Sequence, residues 1–170
     1  MDKPKIRKII KEQRKQLDIE RLSKVIRAKI HEHEAYKLSK NVMLYYPLKY
    51  EIDVLNLMTD CDKKRFYFPK VEGDKLLVCP MCDKFKLSNL KINEPCSNPV
   101  SAEILDLIIV PSLAVDCENY RLGYGGGFYD RFLKTVAGAK TITPIYSGFV
   151  FEKLPHDDFD VKIQHIVTEL

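Results

Sequence analysis

Fourteen consecutive residues constrain this chain more than any others: Tyr120-Arg121-Leu122-Gly123-Tyr124-Gly125-Gly126-Gly127-Phe128-Tyr129-Asp130-Arg131-Phe132-Leu133. Four glycines in five positions, interrupted only by Tyr124, allow positive φ and let a ligand approach with no Cβ in the way. Phe128, Phe132 and Val136 recur at i, i+4 and i+8, which predicts a helix leaving the loop. The apolar run at 105–111 before it reads as a strand. Free N–H groups of such a loop, joined to the positive end of a helix, form an anion cradle, and the expected ligand is a phosphate. A Walker loop would end in Gly-Lys-Ser/Thr where Phe128 and Tyr129 stand. A dinucleotide fingerprint would need a third glycine at Phe128. Arg121 and Asp130 flank the loop: a guanidinium neutralises phosphate oxygens, and a carboxylate in the first helical turn holds the magnesium that accompanies a nucleoside triphosphate. The bland alternative is a tight turn whose Asp130 merely caps the helix amides.

Around this loop the chain alternates strands and helices. Residues 1–40 hold thirteen Lys or Arg against six Asp or Glu. Within them Ile6, Ile9, Ile10, Gln13 and Leu17, then Leu22, Val25, Ile26, Lys29 and Ile30, follow helical spacing, with Asp18 as cap of the second helix. A basic surplus invites nucleic acid, but residues 1–35 contain no aromatic platform and the charges fall mostly on solvent-facing positions. Lys3 and Arg7, four apart, place two cations on one helical face, within reach of a triphosphate. Residues 41–46 read as a strand ended by Pro47, and residues 51–58 as a helix opened by Glu51, a first-turn carboxylate. Residues 65–69 and 75–79 read as strands about the turn at 72–74, residues 88–101 as loop, and residues 139–147 and 163–168 as further strands. Residues 105–110 have the continuous apolar character of a strand buried on both faces of a parallel sheet.

The pattern predicts an α/β fold of three layers, a mostly parallel sheet flanked by helices with two amphipathic helices at the N-terminus, as one domain over residues 1–170. Ligands in such folds bind at the carboxyl ends of the strands. No apolar run approaches a membrane span and the N-terminus lacks a signal-peptide core, so a cytoplasmic protein is expected. Five irregularly spaced cysteines predict reduced thiols. Cys79 and Cys82 form a lone CxxC without the second pair of a structural zinc site. The histidines of His31-Glu32-His33-Glu34 lie two apart, on different sides of a helix. The acidic turn at Asp157 and Asp158 reads as solvent-exposed.

Residues 121–131, preceded by Asp106-Leu107-Ile108-Ile109-Val110-Pro111-Ser112-Leu113-Ala114-Val115-Asp116, resemble the signature of the 5-formyltetrahydrofolate cyclo-ligases, or 5,10-methenyltetrahydrofolate synthetases. The likeness extends through residues 3–7, residues 45–53, Glu94-Pro95, Leu154-Pro155 and residues 160–169. It implies an enzyme that uses ATP and magnesium to close 5-formyltetrahydrofolate to 5,10-methenyltetrahydrofolate. The formyl oxygen would attack the γ-phosphate, and N10 would attack the resulting iminophosphate. By this resemblance Lys3, Arg7, Arg121, Leu122, Gly123, Tyr124, Gly125, Gly126, Gly127, Phe128 and Tyr129 would hold ATP. Tyr46, Glu51 and residues 124–128 would meet the folate, and Asp130 and Asp160 the magnesium. Arg121 and Lys3 would supply transition-state charge without a protein nucleophile. The partners would be ATP and 5-formyltetrahydrofolate, not nucleic acid or membrane, and a monomer or weak homodimer is expected. The chain departs from its relatives at Phe149, where a glutamine is usual nearby, at Gln164, near a usual acidic residue, and at Ser112 and Asn119, which replace glycines. Competing readings are a nucleotide-dependent kinase or transferase with another acceptor, and a non-catalytic nucleic-acid or regulatory module built on the basic helices.

Overall fold

The computed structural model describes residues 2–89 and 91–170. Asp2 starts the first helix, α1 (Lys3–Arg14), by accepting the Lys5 amide at 3.0 Å. Asp18 does the same for α2 (Ile19–Glu32) through the Arg21 amide, also at 3.0 Å, as the sequence predicts. A single short turn, α3 (Glu34–Leu38), follows and leads into the first strand.

Five parallel strands form the body of the main sheet: β1 (Asn41–Met43), β2 (Arg65–Glu72), β6 (Leu107–Ile109), β9 (Lys140–Pro144) and β11 (His165–Val167). One antiparallel edge strand, β3 (Lys75–Pro80), completes the order β11-β9-β6-β1-β2-β3. Side-chain alternation divides its apolar runs between two cores. Val42, Leu44, Leu107, Ile109, Phe66 and Phe68 pack under Leu22, Ile26, Ile30 and Tyr36 of α2 and α3. Met43, Ile108 and Val110 face the opposite way, onto Phe132, Leu133 and Val136 along helix α4 (Phe128–Thr135). The helix–sheet–helix layers match the expected architecture. A second sheet of β7 (Ala114–Asp116), β8 (Arg121–Leu122) and β10 (Val150–Phe151) packs Leu113, Ala114, Val115 and Leu122 against Ile10 of α1.

Local chemistry overrides the sequence pattern in four places. Residues 51–58 do not form an α-helix: Asp53 Oδ1 takes the Leu55 amide and Ser23 Oγ takes the Asp53 amide, both at 2.8 Å, leaving a 3₁₀ turn at Leu55–Asp60. Such side-chain bonds compete with helical pairing. The stretch 88–101 is not all loop. It supplies the second strand of a hairpin, β4 (Phe85–Leu87) with β5 (Asn93–Pro95), whose Pro95 is tolerable because the pair is short and has open edges. Leu90 lies outside the described residues.

The glycine loop does not follow β6 directly but leaves the hairpin β7–β8. Asp116 stitches that hairpin, accepting the Glu118 and Tyr120 amides on one oxygen and the Leu154 amide on the other. Asn119 turns it with φ 69°, a left-handed conformation that asparagine adopts more readily than most residues. Finally, α1 buries Ile10 and Arg14 and exposes Ile9 and Gln13, so its inward stripe is rotated from the one expected.

Candidate active site

The carboxyl ends of β1, β2 and β6 open onto a cavity of about 570 Å³, the place where ligands sit in open α/β sheets. One pole is built from the glycine loop. Gly125 has φ 110° and Gly127, at the N-cap of α4, φ 66°, conformations that favour glycine. No side chain caps α4, so its first amides remain available to an anion. Asp130 therefore has no capping role. The loop is pinned from two sides: Arg7 Nε donates to the Gly123 carbonyl at 2.8 Å, and Arg131 donates to the Gly126 carbonyl at 3.0 Å.

Cations and carboxylates line this pole in pairs. Arg121, its side chain only 3 % exposed, meets Asp130 Oδ2 at 3.0 Å, and its Nε has no partner among the described residues. Burial lowers the Arg121 pKa and Asp130 opposes that effect; a guanidinium remains charged regardless. Asp130 Oδ1 accepts the Val161 amide at 3.3 Å. Lys3 reaches Asp160 at 2.5 Å and Asp157 at 2.7 Å. Burial alone would lower the Lys3 pKa and raise that of Asp160, but their contact wins: Lys3 lies above its ordinary value and Asp160 below. Asp157 is thus more than an exposed turn residue, since it shares the Lys3 ammonium at the cavity rim.

The other pole is apolar and aromatic. Tyr45, Tyr46 and Leu48 continue from β1, and Pro69, Val71 and Leu76 close the wall from β2 and β3. Glu51 sits among them, 6 % exposed. Its Oε2 accepts the Leu48 amide at 2.6 Å and its Oε1 the Tyr124 hydroxyl at 2.5 Å. Burial pushes its carboxyl above the ordinary glutamate range against the Tyr124 and Leu48 bonds and the Arg14 charge. Glu51 is consequently a cavity carboxylate and not the first-turn residue of a helix. Every residue assigned from the sequence to ATP, folate or magnesium lines this one cavity: Lys3, Arg7, Tyr46, Glu51, residues 121–130 and Asp160.

Sequence reasoning missed Arg14 and Glu94. Arg14, 7 % exposed, donates to the Tyr124 hydroxyl at 2.9 Å and to the carbonyls of Ser112 and Leu113. Its signal was present, because Lys3, Arg7, Ile10 and Arg14 fall at i, i+4, i+7 and i+11 on one helical stripe. From the sequence, Glu94 carries only its place in the family resemblance. Buried in β5, it accepts the Val71 amide at 2.9 Å where β2 outruns β1, and it lines the cavity. Only the fold reveals that position. The unusual Phe149 also acquires a reason: it is buried against Tyr146, with the Arg14 guanidinium 5.8 Å from its ring centre. Gln164 clamps Thr141 through two hydrogen bonds away from the cavity.

Cys79 and Cys82 are free thiols outside the cavity lining. His31 pairs with Asp60 at 3.2 Å, and His33 caps α3 through the Ala35 amide. Among the described residues no three His, Cys, Asp or Glu side chains converge as a metal cage, and no helix is long and apolar enough to cross a membrane.

Fold and site together define an α/β protein with one ligand cavity at its strand ends, basic and amide-lined at one pole, apolar with a buried carboxylate at the other. Comparison with known proteins specifies the class. The chain matches the model of the 5-formyltetrahydrofolate cyclo-ligase family over residues 1–169, and it belongs to that family. It is 28 % identical over 130 residues to the 5-formyltetrahydrofolate cyclo-ligase of Mycoplasma genitalium, covering 75 % of this chain and 72 % of the relative. The NMR structure of Aquifex aeolicus 5,10-methenyltetrahydrofolate synthetase is 36 % identical and superposes with a TM-score of 0.88, covering 99 % of this chain and 90 % of that one. The 5,10-methenyltetrahydrofolate synthetase of Mycoplasma pneumoniae, 24 % identical, shares the fold with a TM-score of 0.83 over the full length of both chains.

Proposed function

We propose that this chain, acting as a single domain, converts 5-formyltetrahydrofolate to 5,10-methenyltetrahydrofolate with ATP and magnesium, releasing ADP and phosphate. The observation that carries this reading is the union of two dissimilar poles in one cavity. A triphosphate suits the glycine loop, the open start of α4 and the cations Lys3, Arg7 and Arg121, and a flat heterocycle suits the aromatic wall around Glu51 and Tyr46. The junction of the poles, at residues 124–128, is where the formyl oxygen would meet the γ-phosphate.

The reaction asks for positioning and charge neutralisation more than for a protein nucleophile. The formyl oxygen attacks the γ-phosphorus and ADP leaves; N10 attacks the iminophosphate carbon and gives up its proton to water or to the departing phosphate as the ring closes. Lys3 and Arg121 offset the charge that builds on the transferred group, while the loop amides orient the β- and γ-phosphates. Asp130 and Asp160 fit magnesium by donor type, being oxygen ligands on the same wall as the phosphate cradle. When bound, that ion would neutralise phosphate charge, drawing its remaining ligands from phosphates and water.

Arg121 and Lys3 engage both carboxylates. Entry of magnesium with ATP would exchange partners, carboxylates to the metal and cations to the phosphates.

The test is the near-ultraviolet absorbance of methenyltetrahydrofolate when protein meets 5-formyltetrahydrofolate, magnesium and ATP. An ATP-dependent rise is expected. No rise from folded protein that binds ATP would assign the cavity to a different acceptor.

A further inference from the structure

We propose that Arg14, which does not line the cavity, is a positioning residue that acts through the Tyr124 hydroxyl to hold Glu51 as an oriented carboxylate anion. The use of that anion, accepting N–H donors of the folate ring, rests on the function proposed above. The link spans three segments of the chain: α1 carries Arg14, the glycine loop Tyr124, and the segment after β1 both Glu51 and Leu48, which supplies the opposing amide.

Proton bookkeeping fixes the direction of this chain. A guanidinium has donors only, so the bond from Arg14 Nη1 to Tyr124 at 2.9 Å makes the phenol oxygen an acceptor. The single phenolic proton then points along the 2.5 Å contact to Glu51 Oε1, which must accept it. The Leu48 amide likewise donates to Oε2, so both oxygens are held as acceptors. Remove the guanidinium and the phenolic proton can turn into the space it leaves, so a protonated Glu51 donating its own O–H to Tyr124 becomes a more accessible alternative. Arg14 therefore selects the ionised form by geometry as well as by charge.

The surroundings make such selection necessary. Glu51 is buried, and Tyr45, Tyr124 and Tyr129 face it from the β1 extension, the glycine loop and α4 without bringing a positive charge. Among the groups that favour its anion, Tyr124, the Leu48 amide and Arg14, only Arg14 is a cation. Arg14 is itself immobilised by the Ser112 and Leu113 carbonyls and by the Phe149 ring.

The experiment follows the carboxyl carbons of glutamate by ¹³C NMR in ligand-free protein through a pH titration, with the Glu51 signal identified by its loss in Glu51→Gln. In Arg14→Met, Arg14→Gln and Tyr124→Phe the Glu51 midpoint is expected to rise by about one pH unit or more, with Arg14→Lys nearer wild type. An unmoved midpoint in whichever of the three cutting variants folds would overturn the link. Calorimetric titration then separates role from scaffold. Arg14→Met is expected to weaken 5-formyltetrahydrofolate about tenfold, or roughly 1.4 kcal/mol, and to leave magnesium–ATP affinity unchanged. Equal loss for both ligands would reduce Arg14 to a fold-supporting residue. A shifted midpoint in protein whose wild type binds no 5-formyltetrahydrofolate would sink the folate reading and leave the link standing.

Discussion

Glu51 shows how a residue's function and its stability can pull apart. Its raised pKa means that the folded protein binds the Glu51 proton more tightly than the unfolded chain does. The ionised form thus opposes folding at neutral pH, and stability contributed at this site increases as pH falls through the folded pKa. Glu51→Gln removes the buried charge and nearly preserves shape. Its Tm at pH 7 is expected to equal or exceed that of wild type, while 5-formyltetrahydrofolate affinity falls at least about tenfold, the worth of a charged hydrogen bond. Calorimetry for Tm and titration for affinity check the two halves separately, and a clear drop in Tm would show that the carboxylate is structurally favourable after all. The residue was legible as a site candidate through the family resemblance, its position alone giving a first-turn carboxylate. Its burial was not, since that depends on Tyr124, 73 positions away. The pairing of Asp130 with Arg121 was closer to hand, both belonging to the loop motif.

At the scale of elements, the glycine loop and α1 act together. Arg7 holds the loop backbone at the Gly123 carbonyl, whereas Arg14 meets only the Tyr124 hydroxyl, so α1 sets the shape of the anion cradle through Arg7. Gly127 is a position that both conformation and space reserve for glycine. An alanine there would adopt a left-handed φ of 66° and place its Cβ 2.6 Å from the Arg131 guanidinium, which bonds the Gly126 carbonyl. Gly127→Ala is expected to cost about 1–2 kcal/mol for the backbone and to weaken ATP through the displaced loop. Urea denaturation and ATP titration read the two effects, and wild-type behaviour in both would remove the conformational requirement. The helices α1 and α2 were readable from amphipathic spacing, reinforced in α2 by the Asp18 cap. The segment 51–58 was not, because Ser23, contributed by α2, captures the Asp53 amide that a helix would have used. The hairpin β4–β5 was hidden for a related reason: three-residue strands carry too little periodicity, and Glu94 anchors theirs to β2 across the fold.

For the whole molecule, the cavity joins groups from both ends of the chain, with Lys3 meeting Asp157 and Asp160 across more than 150 positions. Because Asp160 and Asp130 are engaged by cations, magnesium alone has no free carboxylate pair to occupy. Magnesium without nucleotide is therefore expected to leave Tm nearly unchanged. Magnesium with ATP at a hundred times its Kd should stabilise by about 2.7 kcal/mol, well beyond the sum of the separate effects. A large shift from magnesium alone would contradict the partner exchange. The chain order by itself determined the α/β layering, the two amphipathic helices and the glycine loop that opens a helix, because each rests on short-range spacing that no distant contact is needed to complete. Only the tertiary structure decided which face of α1 turns inward, that Arg14 and Glu94 reach the site, and that Glu51 is buried. Those outcomes depend on where remote backbone amides and hydroxyls come to lie, and local periodicity carries no information about that.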